Sequence, residues 1–133
     1  MTIAMVDNAP FLKESDPLKK ILGYIDFYLG AVTDPAQLKS CLAGTLVQEI
    51  WDTYPSLRSG ANECFTTASD YLEGLLDEAA KHYRKKVDTK ALAELYLATF
   101  QGSLILYKGS RDIGVFHRNF GLLKSFFRQQ FSL

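Results

Sequence analysis

The sequence predicts an all-α protein built from five helices. Asp-Pro pairs at residues 16–17 and 34–35 mark helix starts, and apolar residues recur at steps of three and four along every long segment. No segment alternates apolar and polar residues for long enough to indicate a β-strand. With 133 residues and 47% hydrophobic content, the chain fits one domain with a substantial core. We assign residues 16–133 to the helical domain and residues 1–15 to an N-terminal remnant or linker.

The first two helices are predicted from the Asp-Pro pairs. Asp16 is expected to cap a helix that begins at the following proline and ends near Val32, because apolar residues fall on one face of this segment. Asp34 is expected to cap a second helix over residues 35–53. Gln37 stands three residues after Asp34, where it can complete a capping box.

Periodicity and caps define the remaining three helices. The third is predicted from Pro55 to Lys86, and its apolar stripe is the strongest periodic signal in the chain. The stripe consists of Leu57, Ala61, Cys64, Phe65, Ala68, Leu72, Leu75, Leu76, Ala79 and Tyr83. Asp88 is expected to cap a fourth helix that ends at Ser110, and Asp112 a fifth.

The fourth helix carries two different surfaces. We expect one side to face the chain's own core; it holds Tyr96, Phe100, Ser103 and Tyr107. We expect the opposite side to face a partner; it holds Leu95, Ala98, Gly102, Ile105 and Gly109. A glycine inside a helix costs about 1 kcal/mol relative to alanine, so Gly102 indicates the close approach of another backbone. The fifth helix is expected to extend this dimer interface with Phe116, Phe120, Leu123 and Phe127.

Charge and composition disfavour several classes of protein. Fifteen basic and fifteen acidic residues cancel, so no global field favours nucleic acid or an anionic membrane. The apolar runs are interrupted well before the ~20 residues that a membrane span needs, and residues 1–15 do not resemble a signal peptide. Cys41 and Cys64 form no CxxC motif, which favours reduced thiols. We therefore expect a soluble cytoplasmic protein.

Three segments in register resemble one family. Residues 40–49 (SCLAGTLVQE), the Tyr-Pro break before the long third helix and residues 100–112 (FQGSLILYKGSRD) resemble the C-terminal domain of tetracycline-repressor (TetR) family transcriptional regulators. The resemblance covers roughly residues 16–130. It implies a domain that binds a small effector among its helices and dimerises through the last two, which pack as a four-helix bundle across a two-fold axis. Thr45 and Ile113 depart from the family pattern.

By the same resemblance this chain is either an excised regulatory domain or a natural half-regulator, and the sequence leaves both open. A complete regulator of this family has an N-terminal helix-turn-helix unit of roughly 45 to 50 residues, whose recognition helix enters the major groove. Only fifteen residues precede the first predicted helix. We therefore expect this chain alone not to bind nucleic acid directly.

The second helix and several aromatic residues indicate a ligand site. One face of that helix carries Cys41, Thr45, Gln48 and Asp52. A solvent face usually carries Lys or Glu, so this composition favours a pocket wall; an exposed neutral face is the alternative. The apolar part of the pocket is expected from Tyr24, Tyr28, Trp51, Phe65, Tyr71, Tyr96 and Phe100. Plain core packing is the alternative for each aromatic residue. The expected ligand is a small hydrophobic or weakly polar effector.

Two other functions stay open beside a TetR-like sensing and dimerisation domain that acts by population shift. One is a purely structural helical dimer that sequesters a full-length relative; a filled core behind Thr45 and Gln48, instead of a cavity, would favour it. The other is an enzyme. However, His82 and His117 lie far apart in the sequence, and no carboxylate pair or metal-ligand spacing surrounds either. We expect no catalytic residue, no metal and no cofactor.

Overall fold

The computed structural model describes residues 9–34 and 42–132 of the chain. These ranges contain a short 3₁₀-helix, Pro10–Lys13, and five α-helices: α1 Pro17–Thr33, α2 Leu42–Ile50, α3 Pro55–Tyr83, α4 Thr89–Ser110 and α5 Gly114–Phe131. Within them there is no β-strand, and none of their helices is long and apolar enough to cross a membrane. The predicted all-α class is confirmed.

Carboxylate side chains bond to backbone N–H groups near three of the predicted helix starts, although the N-cap position of α5 is Ile113 and not Asp112. The carboxylates of Asp16 and Asp88 each accept a hydrogen bond of 3.0 Å from a backbone N–H in the first turn of α1 and α4. Asp112 accepts one of 2.9 Å from the N–H of Gly114 at the start of α5. The predicted start of the second helix and its capping box involve residues 35–41, which lie outside the described residues.

Helix α3 ends at Tyr83, short of the predicted end at Lys86. Arg84 adopts the left-handed conformation with φ of 53°, and the N–H of Lys85 donates to the carbonyl of Ala80 at 3.0 Å. This pattern closes a helix C-terminus. Glycine usually occupies the left-handed position, so an arginine there leaves no sequence signal for the end of the helix.

The core lies between α1, the second half of α3, α4 and α5. Its largest fully buried apolar side chains are Ile21, Ile25, Leu72, Leu76, Phe116, Phe120 and Phe127. Helix α1 packs against α3 and α5, and α4 packs against the same two helices. An ion pair of 2.6 Å between Lys124 and Asp26 joins α5 to α1. The hydroxyl of Tyr83, at the end of α3, donates to the Asp16 carboxylate at the start of α1.

The first half of α3 lies outside this core. From residue 55 to residue 68 the side chains are exposed, except those of Ala61 and Phe65. Helix α2 packs on α3 through its apolar side. The predicted apolar stripe of the third helix is therefore buried only in its second half, because α1, α4 and α5 cover that half.

The N-terminal segment contributes to the core, which corrects the boundary that we placed at residue 15. Phe11 is 3% exposed, and its ring packs edge-on against Tyr24 with the ring centroids 5.5 Å apart. A Cβ added to Gly23 would lie 2.8 Å from the Cβ of Phe11, so glycine permits this contact. A single 3₁₀ turn is too short to give a periodic pattern, which explains why the sequence did not reveal it.

Candidate ligand site and helix groove

Five of the predicted effector residues form one aromatic cluster, which we call the tyrosine cluster. Its centre is Tyr24, whose ring centroid lies 4.7 Å from that of Tyr28, 5.5 Å from that of Tyr71 and 5.6 Å from that of Tyr96. Phe100 extends the cluster, 6.4 Å from Tyr96. Residues four apart on α1 and on α4 share a face. The cluster therefore forms where these two faces meet each other and α3.

The tyrosine hydroxyl groups place polar atoms inside an otherwise apolar core. The hydroxyl of Tyr24 interacts electrostatically with those of Tyr28 and Tyr96. Burial raises the pKa of all three phenols above the ordinary value of 10.0, so they are neutral at physiological pH. Each can both donate and accept a hydrogen bond. Tyr71 is 41% exposed and opens the cluster to solvent.

The residues of α2 that were predicted to form a polar pocket wall are exposed to solvent. Thr45 and Gln48 are exposed, and the Gln48 side-chain amide donates to the carbonyl of Gly44 in its own helix at 3.1 Å. Trp51 is 60% exposed. Thr45 and Gln48 therefore lie on a solvent-exposed side of α2 and outside the tyrosine cluster, and their contact with an effector stays a prediction. Cys41 lies outside the described residues.

Phe65 belongs to a separate surface groove between α3 and α4. This groove has a volume of about 290 Å³. It is lined by Asn62, Phe65, Thr66, Ser69, Asp70, Glu73, Lys90, Glu94 and Leu97. Phe65 is half-buried there among mostly polar side chains, so the structure does not place it in the tyrosine cluster as we expected.

A second groove, of about 330 Å³, runs between α4 and α5. We call it the α4–α5 groove. It is lined by Leu95, Ala98, Thr99, Gly102, Ser103, Leu106, Asn119, Leu122, Leu123 and Phe126. Large apolar side chains at its edges are open to solvent: Leu122 is 72% exposed, Leu106 57%, and Leu95 and Phe126 40% each. Exposed apolar surface of this kind marks contact sites.

The predicted interface residues of α4 lie at or beside this groove. Leu95, Ala98 and Gly102 line it, and Ile105 is 50% exposed. Gly109 is also exposed. The opposite side of α4 faces the core, as predicted, with Tyr96 and Ser103 buried and Phe100 and Tyr107 half-buried. The sequence therefore identified the core-facing side of this helix correctly, and the contact of the other side with a partner stays a prediction.

The predicted interface residues of α5 need correction. Phe116, Phe120 and Phe127 are fully buried and Leu123 is 4% exposed, so they pack in the chain's own core and have no surface to offer a partner; only Leu123 also reaches the groove floor. These large side chains bury more apolar area against α1 and α4 than any other side of α5 would. The outer side of α5 presents Leu122 and Phe126 instead. Leu106 and Asn119 were missed as groove residues.

Gly102 lies in the α4–α5 groove with open space around it. A Cβ added there would meet no atom within 4 Å, in contrast to Gly23, where Phe11 leaves no room. Nothing in the described part of the chain therefore requires a glycine at this helical position.

Comparison with known proteins gives the family. Residues 17–120 match the family described as tetracyclin repressor-like, C-terminal domain. A search of curated proteins finds no significant match.

Solved structures of similar fold come from two bacteria. A TetR-family transcriptional regulator from Cytophaga hutchinsonii superposes with a TM-score of 0.78 at 14% identity, over 98% of this chain and 66% of that one. A TetR transcriptional regulator from Chloroflexus aurantiacus gives a TM-score of 0.79 at 20% identity, over 90% of this chain and 62% of that one. This chain thus spans less than two thirds of each regulator, and at these identities the likeness shows the fold. Because the family match covers most of the chain, the chain belongs to the tetracyclin repressor-like C-terminal domain family.

Proposed function

We propose that this chain is the effector-sensing and dimerisation part of a TetR-like transcriptional regulator. The observation that carries the proposal is that one helix, α4, serves two surfaces. Its inner side contributes Tyr96 and Phe100 to the tyrosine cluster, and its outer side contributes Leu95, Ala98 and Gly102 to the α4–α5 groove. A shift of α4 therefore changes both surfaces.

The shape of the α4–α5 groove supports a second copy of this chain as the partner. Small residues such as Ala98 and Gly102 form a depression, and exposed Leu106 and Leu122 stand beside it. A two-fold axis presents the same patch on both subunits, so the projecting side chains of one copy can fill the depression of the other. Two helices from each subunit then form a four-helix bundle, and apolar burial at about 25 cal/mol per Å² stabilises it.

The tyrosine cluster supports a small hydrophobic or weakly polar effector. A ligand site usually combines an apolar body with a few polar groups that orient the ligand. Here the rings supply the apolar surface and the neutral hydroxyls supply donors and acceptors. Tyr28 and Tyr71, the less buried members, are the first that an approaching ligand would meet. The proposal assigns no catalysis to this site.

Sensing in this proposal is a population shift. An effector that binds more tightly to one position of α4 increases the population of that position. The size of the shift is limited by the difference between its affinities for the two positions. The position of α4 in turn fixes the arrangement of the two subunits at the groove. The spacing of two DNA-reading units would follow from that arrangement, while the chain itself makes no specific DNA contact.

The test is a search for a ligand by thermal unfolding. We expect at least one compound from a screen of small apolar phenols, amides and weak acids to stabilise the chain, by about 2.7 kcal/mol at a hundredfold excess over its Kd. Tyr71→Phe removes a hydroxyl and keeps the ring, so it should weaken binding about tenfold. The matched control is Tyr54→Phe, because Tyr54 is 56% exposed and lies outside the cluster. If both variants bind the compound with equal affinity, the ligand does not bind at the tyrosine cluster.

The alternative is a helical dimer without a ligand that sequesters a full-length relative. The burial of Tyr24 and Tyr96, which are 3% and 5% exposed, favours it, because close-packed rings leave little space between them. A screen without any stabilising compound, together with a stable dimer, would support this second function.

A further inference from the structure

The α4–α5 groove contains one hydrogen-bonded polar pair. The side-chain N–H of Asn119 donates to the hydroxyl oxygen of Ser103 at 3.1 Å. Ser103 is 1% exposed and Asn119 is half-buried. The third polar residue of the groove, Thr99, donates its hydroxyl to the carbonyl of Leu95 in its own helix at 2.8 Å. Apart from Gly102, the other lining residues are apolar. Asn119 and Ser103 are therefore a polar pair in an otherwise apolar groove.

Asn119 has hydrogen-bonding groups to spare. A carboxamide offers two N–H donors and a carbonyl acceptor, and Ser103 accepts from one donor only. Within residues 9–34 and 42–132, Asn119 makes no other hydrogen bond. Its carbonyl oxygen and second N–H are therefore left for water while the groove is open.

Covering the groove removes that water. An apolar helix surface would leave the carbonyl and the second N–H of Asn119 without partners, and unpaired buried polar groups are strongly disfavoured. A second copy of this chain brings the same three polar side chains, because a two-fold axis presents the same patch on both subunits. These side chains include both donors and acceptors. A copy of the chain can therefore satisfy Asn119 where an apolar partner cannot.

We propose that Asn119 is a specificity-determining residue of the dimer, and that its spare amide groups bond to a polar group of the second copy. The inference rests on the proposed dimerisation through the α4–α5 groove. A single polar residue in an otherwise apolar helix interface fixes partner choice in this way in coiled coils. Ser103 acts as the positioning residue, since it holds one N–H and so leaves the rest of the amide free for the partner.

The test measures the dimer dissociation constant of the full chain by sedimentation equilibrium. Asn119→Leu removes the amide at similar size, and we expect the dimer to weaken about tenfold or more. The matched control is Asn62→Leu, because Asn62 is an exposed asparagine of α3 that lies outside the α4–α5 groove; we expect a change of less than about threefold. Circular dichroism during heating reports the folding of each variant separately. If the leucine variant does not fold, Asn119→Ala provides the same measurement with less added apolar bulk.

The outcomes separate the two proposals. A wild-type chain that is monomeric across the micromolar range contradicts the proposed dimerisation and, with it, the role of Asn119. If the wild type is a dimer and neither Asn119→Leu nor Asn119→Ala raises its dissociation constant, the role of Asn119 alone is contradicted. The Asn119 amide then makes no favourable hydrogen bond to the partner. Weakening by the Asn119 variants and not by Asn62→Leu supports the inference.

Discussion

The two halves of α3 have the same apolar spacing and opposite surroundings. In the second half, Leu72 and Leu76 are fully buried between α1, α4 and α5. In the first half, Leu57 is 48% exposed and Cys64 is exposed. The comparison shows that helical periodicity indicates which side of a helix can be buried, while neighbouring helices decide whether it is.

The two halves of α3 also differ in side-chain size, and the more buried second half has the larger apolar side chains. Beside Leu57 and Phe65, the stripe in the first half contains the small residues Ala61, Cys64 and Ala68, whereas the second half contains three leucines. Small side chains bury little apolar area and so stabilise packing weakly. The first half of α3 with α2 therefore forms a thin layer, and most of the folding free energy must come from the packed part.

The largest expected effect is the loss of a core leucine. Leu76→Ala should lower the free energy of unfolding by about 2–5 kcal/mol, because it leaves a cavity between packed helices. Leu57→Ala, the same change in the other half of α3, should lower it by no more than about 0.5 kcal/mol. Urea unfolding followed by circular dichroism measures both. Similar losses would mean that the first half is covered as well.

The next effect concerns the outer surface of α4. Gly102→Glu should weaken the dimer at least a hundredfold, because it puts an unpaired charge against the partner, at about 3 kcal/mol or more. Gly74→Glu is the matched control: Gly74 is also a helical glycine without an atom within 4 Å of an added Cβ, and it is exposed outside the groove. Sedimentation equilibrium compares the two. Equal dimer strength in both variants would show that the partner does not cover Gly102.

The smallest effect concerns the contact between the start of α1 and the end of α3. The hydrogen bond from Tyr83 lowers the pKa of Asp16 below its ordinary value of 3.8. A carboxylate with a lowered pKa stabilises the fold above the unfolded-state value, and this contribution is lost as the pH falls through the lowered one. Tyr83→Phe should therefore lower the free energy of unfolding at pH 7. Below about pH 4 the stability of this variant should decrease less steeply with falling pH than that of the wild type.

Thermal unfolding between pH 2.5 and pH 7 tests this expectation. Tyr54→Phe makes the same change at an exposed site and should keep the wild-type pH profile. A Tyr83→Phe profile that is parallel to the wild type throughout would show that Asp16 gains nothing from the Tyr83 hydroxyl.

Local interactions explain what the sequence determined by itself. Asp16 and Asp88 bond to backbone N–H groups only two or three residues ahead, so their capping role needs no tertiary contact. The core-facing side of α4 was also identified correctly, because aromatic and small residues separate at a helical period. The family motifs occur within such segments and follow the helix order.

Tertiary packing decided the rest. Phe116 and Phe120 lie in the core and not at an interface, and Thr45 and Gln48 are exposed and lie outside the tyrosine cluster. In each case an amphipathic pattern specified two sides of a helix without specifying which neighbour lies against which side. That assignment depends on contacts between residues far apart in the sequence, and only the packed arrangement of α1, α3, α4 and α5 supplies them.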